Sequence, residues 1–156
     1  MSESNRNLRI VVDTNLIISA EITATGNPAR VLDAWREDRA SLFTSPPLTD
    51  EVSDVLTRSA NRARYRFEAQ RVERLLAALR ECSAPSIPLD ELPIHCRDPK
   101  DDAVLACALA NDVDYIVTGD DELLSLDGDP ALGRLRIVTP RQFLALLGER
   151  EESSDR

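Results

Sequence analysis

Asp13 follows the apolar run Leu8-Arg9-Ile10-Val11-Val12 and opens the sequence Asp-Thr-Asn. A carboxylate there stands at the carboxyl end of a buried first strand, the edge at which open α/β sheets bind their ligands. Tyr115-Ile116-Val117-Thr118-Gly119-Asp120 repeats the arrangement, a strand and then an acid, with Gly119 allowing a sharp turn. Glu51 and the pair Asp101-Asp102 add acids from two predicted helices. Carboxylates gathered from separate elements repel one another unless protons or a cation neutralise them. With one His and one Lys in the chain, the expected cation is a metal ion. Oxygen ligands alone select a hard one, Mg²⁺ or Mn²⁺.

Each acid has a plainer reading beside the catalytic one. Asp13 can cap a turn through Thr14 and Asn15. Glu51 lies in a helix from about Leu48 whose apolar face is Leu48, Val52, Val55 and Leu56. At about 100° per residue Asp50 and Asp54 point to solvent, and Glu51 is the acid on the flank able to reach inward. Asp98 before Pro99 is a helix N-cap followed by proline at the first helical position. Asp101 and Asp102 fall in the first turn, where the helix dipole favours negative charge. Asp102 shares a face with Leu105, Ala106 and Leu109, and an unpaired carboxylate beside so apolar a helix is costly. It is therefore the expected ligand, with Asp101 a close rival. Asp121 and Glu122 read as helix-start acids. Thr14, Asn15 and Thr118 are candidates to orient substrate or water. His95 and Cys96 lack partners at ligand spacing and read as structural.

Positioning these residues takes alternating strands and helices. Strands are predicted at Leu8–Val12, Ser41–Thr44, Tyr115–Thr118 and Leu135–Val138. Helices are predicted over Ala29–Arg36, from about Leu48, over Arg62–Arg80, from Asp98-Pro99 onward and over Gln142–Leu147. The stretch 84–93, rich in proline, is a linker with room for a short extended segment. This alternation predicts a parallel sheet covered on both faces. One domain over residues 8–147 is expected, with flexible polar ends at 1–7 and 148–156.

The net charge is −9, unlike that of a polybasic nucleic-acid binder. Arg58–Arg80 is the exception, with seven Arg against Glu68 and Glu73. Arg62, Arg64 and Arg66 alternate there with Tyr65 and Phe67, a composition suited to RNA by charge and stacking or to a surface for a second copy or another protein. Cys82, Cys96 and Cys107 are odd in number and read as reduced thiols. The polar start lacks a signal-type apolar core, and no run is long enough to span a bilayer. A cytoplasmic protein with no membrane role is expected.

In order and spacing the acids resemble those of the PIN domain family of metal-dependent ribonucleases, which includes the VapC-type toxins of bacterial toxin–antitoxin pairs. The resemblance runs from Val11 to Leu147. Val-Val-Asp-Thr-Asn carries the first acid, Asp13, and Ser45-Pro46-Pro47-Leu48-Thr49-Asp50-Glu51 the second. Arg97-Asp98-Pro99-Lys100-Asp101-Asp102 is similar to the third motif, where either acid fits. Tyr115–Asp120 resembles the fourth, and Arg136-Ile137-Val138-Thr139-Pro140 the last strand and turn. The resemblance implies a three-layer α/β/α fold with a five-stranded parallel sheet of order 3-2-1-4-5. It also implies a homodimer, a cognate antitoxin and Mg²⁺- or Mn²⁺-dependent hydrolysis of RNA by Asp13, Glu51, Asp102 or Asp101, and Asp120. An inactive RNA- or protein-binding module and a housekeeping RNA-processing nuclease are the alternatives. A dehalogenase-type phosphatase wants a second Asp where Asn15 stands. A receiver domain wants a lysine after a late strand, whereas Lys100 precedes a helix.

Overall fold

The computed structural model describes residues 6–58 and 68–154. Four parallel strands, β1 (Leu8–Val12), β2 (Ala40–Leu42), β3 (Tyr115–Val117) and β4 (Arg136–Val138), form one sheet in the order β2-β1-β3-β4. Successive residues of a strand face opposite sides. Ile10 and Val12 therefore join one core cluster and Val11 the other, and Val117 and Ile116 divide in the same way. Burial on both faces explains why these strands read as continuous apolar runs rather than alternating ones.

The first face is covered by α1 (Thr14–Ile22), α2 (Asn27–Arg36), α3 (Pro46–Thr57), α4 (Ala69–Glu81) and α7 (Pro140–Ser154). The second is covered by α5 (Pro99–Ala110) and the single turn α6 (Asp121–Leu124). The layers are α/β/α, as expected. Between β1 and β3 the strand order reverses, since β1 leads outward to β2 and β3 outward to β4. That reversal opens a crevice at the carboxyl ends of the two central strands.

Among the described residues the sheet has four strands, not the five expected. Beside β2 the outermost position holds only an isolated parallel bridge, Thr44 with Ser83. The Thr44 N–H donates to the Cys82 carbonyl at 3.1 Å and the Ala84 N–H to the Thr44 carbonyl at 2.9 Å. Pro85 and Pro88 follow, and proline has no N–H with which to continue a ladder.

The sequence pattern did not disclose α1. Its Leu16, Ile17 and Ala20 are buried and Ile18 packs against the same core, so apolar residues occupy too much of its circumference for a clear helical period. The closing helix, expected over Gln142–Leu147, begins at Pro140 and continues through the polar end to Ser154. Glu151 is tied there to Arg39 by a 2.8 Å ion pair. Arg62, Arg64 and Arg66 lie outside the described residues. Among the described residues no helix is long and apolar enough to cross a membrane.

Candidate metal centre

Asp13 and Thr118 each continue a central strand by one hydrogen bond. The Asp13 N–H donates to the Val117 carbonyl at 3.0 Å, and the Thr118 N–H to the Val138 carbonyl at 2.9 Å. This fixes both residues at the crevice. The Thr118 hydroxyl donates to Asp13 Oδ2 at 2.7 Å, and Thr118 Oγ1 accepts the Asp120 N–H at 3.0 Å. Asp13 Oδ1 accepts the Asn15 N–H, capping α1. Burial nevertheless wins over these bonds and raises the Asp13 carboxyl above its ordinary range, with Asp120 adding to the effect. Asp120 caps α6 through the Glu122 N–H at 2.7 Å.

The neighbours Asp101 and Asp102 are both buried, yet they meet different surroundings. Asp102 Oδ1 accepts the Cys96 N–H at 2.7 Å, and Oδ2 stands 3.3 Å from His95 Nδ1. Its carboxylate therefore pins the segment leading into α5. Asp101 turns toward the other acids. Burial pushes its carboxyl up to about 7, and the charges of Asp120, Asp13, Asp98 and Glu122 act in the same direction, in that order. The roughly 100° between successive helical residues separates the two roles.

Two residues at the site escaped the sequence reading. Cys96, Asp101 and Glu122 offer ligand atoms within 4.8 Å of one another. Glu122 Oε1 also accepts the Arg97 N–H at 2.6 Å. Glu122 looked like an ordinary helix-start acid, and α6 is too short for its face to be read. Cys96 has no cysteine or histidine at ligand spacing, so only the folded chain brings its partners close.

Glu51 comes from α3 and lies at the mouth of a cleft beside the acids. Its Oε1 accepts from Lys100 Nζ at 2.9 Å, and this pairing raises the lysine pKa. Thr14 is buried and lines the same cleft, whereas the Asn15 side chain is exposed. The structure thus brings Asp13, Asp101, Asp120 and Glu122 into one field. It holds Glu51 with Lys100 and Asp102 with Cys96 and His95.

The donor chemistry fits a divalent cation. Burial first, and neighbouring carboxylates after it, raise the pKa values of Asp13 and Asp101, and a positive ion relaxes such a site. Cys96, Asp101 and Glu122 could offer ligand atoms to such an ion, and the charges of Asp13 and Asp120 act on Asp101 beside them.

This is the ligand edge of a doubly wound α/β domain carrying a group of neighbouring carboxylates. The PIN domain family model matches residues 9–122, and the chain belongs to that family. PIN domains are generally nucleases. The chain is also 28% identical over 142 residues to an uncharacterised protein, MJ1680, of Methanocaldococcus jannaschii, covering 88% of this chain and 90% of that one.

Proposed function

We propose that the chain is a Mg²⁺- or Mn²⁺-dependent ribonuclease that hydrolyses phosphodiester bonds in RNA. The observation that carries this reading is the group Asp13, Asp101, Asp120 and Glu122 at the strand-order reversal, where burial and the neighbouring charges push Asp101 up to about 7. Asp101, rather than Asp102, supplies the third acid of the set, because Asp102 is already engaged by Cys96 and His95. When bound, a divalent cation supplies the positive charge that a scissile phosphate and an attacking water both require.

The chain's own residues prepare that site. Thr118 holds Asp13 in one orientation and the Asp120 backbone against it. Asp120 is fixed as the cap of α6. Glu51, released from Lys100, can swing toward the acids, while Lys100 becomes free for a phosphate. An inactive binding module has no use for buried, mutually repelling carboxylates, since RNA affinity comes from positive charge.

The role as toxin of a toxin–antitoxin pair, with a cognate antitoxin, a homodimeric state and a cytoplasmic location, is part of the same proposal and rests on the family resemblance. The purified chain should cleave single-stranded RNA with Mg²⁺ or Mn²⁺ and lose that cleavage in excess chelator. Cleavage that persists in chelator contradicts the reading. Growth arrest on expression, relieved by the product of a neighbouring short reading frame, separates a toxin from an RNA-processing enzyme.

A further inference from the structure

Beside the acids lies a cleft of about 430 Å³, within the roughly 300–1,000 Å³ range of small-ligand pockets. Its walls are apolar: Leu48 from α3, Ile87, Pro88 and Leu89 from the linker, and Ala103 from α5. Leu89 is 47% exposed, one of two large aliphatic side chains so uncovered among the described residues.

Two buried hydroxyls are left unserved among the described residues, those of Ser45 and Thr49, and the first is at the cleft. Ser45 lines the cleft and is 1% exposed, and its Oγ has no hydrogen-bond partner among the described residues. Ser45 stands at the N-cap of α3, yet its side chain makes no capping bond. A buried hydroxyl without a partner is unfavourable, and a ligand edge reaching this depth relieves it.

We propose that this cleft is a subsite for one unpaired nucleobase of the RNA strand whose phosphate lies at the acids. The proposal deepens the ribonuclease reading and rests on it. Continuity argues for this occupant: Thr14, next in sequence to Asp13, and Glu51 and Lys100 at the rim all line the cleft. A strand held by a phosphate at the carboxylates delivers a neighbouring base here without a second encounter. The Lys100 side chain, 66% exposed, stands at the rim for the flanking phosphate. The aliphatic walls cover the base faces, and the Ser45 hydroxyl meets the base edge.

Two consequences follow for substrate choice. A hydroxyl both donates and accepts, so the subsite tolerates different bases. A base within a duplex must first leave its stack, so single strands are preferred.

The test is fluorescence anisotropy with the full chain in Ca²⁺, using a labelled single-stranded oligoribonucleotide, the same strand with one abasic position stepped along it, and its duplex. The wild type should bind the intact strand at least about fivefold more tightly than the weakest abasic strand, the low end for burying one base. It should also prefer the intact strand to the duplex. Ala103→Leu, which fills the cleft from a helical position, should bring the intact-to-abasic ratio close to one. Ser45→Ala, which removes no cap and adds no bulk, should lower the ratio about twofold.

Equal wild-type affinity for intact and abasic strands overturns the subsite, as does an unchanged ratio in both variants. Release of a copurifying protein by Ala103→Leu, with base-independent RNA binding, assigns the cleft to a protein partner and overturns it as well. Base-dependent binding without metal-dependent cleavage contradicts the nuclease reading and leaves the subsite standing. Cleavage with base-independent binding does the reverse.

Discussion

The carboxylates at the strand-order reversal and those around the rest of the molecule have opposite surroundings. Away from the reversal, acids are met by arginine. Asp127 is gripped by Arg136 at 2.9 Å, and Glu151 by Arg39 at 2.8 Å; both carboxyls are held below their ordinary range, with the arginine hydrogen bond the largest cause. Glu21 lies between Arg36 and Arg71 at 3.2 and 2.9 Å, and Arg6 pairs with Asp114 at 3.0 Å. At the reversal, Asp13 and Asp101 are buried, and their carboxyls are pushed up. The chain is rich in arginine, and among the described residues none is a leading cause of either shift. Electrostatic strain concentrated at one crevice, in a molecule that relieves it elsewhere, marks the place where an external cation is expected.

The sharpest way to break this contrast is by charge removal. Asp101→Asn should lower metal-dependent RNA cleavage at least a hundredfold, because even residues that only orient ligands are worth about 10–100-fold. Gel-resolved cleavage rates check this, and Asp127→Asn should leave those rates within about twofold.

The next effect is on stability against pH. Asp101 in the folded chain holds its proton up to about 7 rather than the ordinary 3.8. The folded state thus binds more protons than the unfolded one between those values, and stability falls as pH rises across that window. Asp127 and Glu151 have the opposite sign: their contribution is present above the usual carboxylate range and is lost as pH falls through their lowered values. Thermal melts in chelator should therefore show wild type more stable near pH 5 than near pH 8, by on the order of 2–4 kcal/mol. Asp101→Asn should remove most of that difference. A flat profile for wild type between pH 5 and 8 contradicts the assigned shift.

Smaller still are the effects of the acids that hold structure. Asp102→Ala leaves the partly buried Cys96 N–H without its acceptor and should cost about 1–3 kcal/mol. Asp127→Asn, at a partly exposed pair that also accepts the Ile137 N–H, should cost about 1 kcal/mol or less. Denaturant unfolding ranks the two, and the reverse ranking places the structural burden on the wrong acid.

These contrasts were unevenly legible in the sequence. Asp13 and Asp120 could be placed because a strand fixes the position of whatever follows it. The four strands of the sheet could be read for the same reason, from apolar runs bounded by turns. The absent fifth strand depended on how far one bridge at Ser83 propagates before Pro85, a matter of hydrogen-bond geometry. Asp101 and Asp102 were separable only as two faces of one helix. The apolar face shared by Asp102 pointed it inward, but toward Cys96 and His95 rather than toward Asp13. The parts played by Glu122 and Cys96 come from contacts between α6 and the segment before α5, which no local pattern encodes.

The central claim is that the crowded acids form a cation site with Asp101 inside it. It is tested most directly by the shift in melting temperature that Mn²⁺ produces at pH 8 in wild type, Asp101→Asn and Asp102→Asn. At a hundredfold excess over Kd, binding to the folded state alone adds about 2.7 kcal/mol, roughly 5–10 °C for a chain of this size. Wild type and Asp102→Asn should both show a shift of that order, and Asp101→Asn little or none. A shift in Asp101→Asn equal to that of wild type, or one lost in Asp102→Asn instead, contradicts the account.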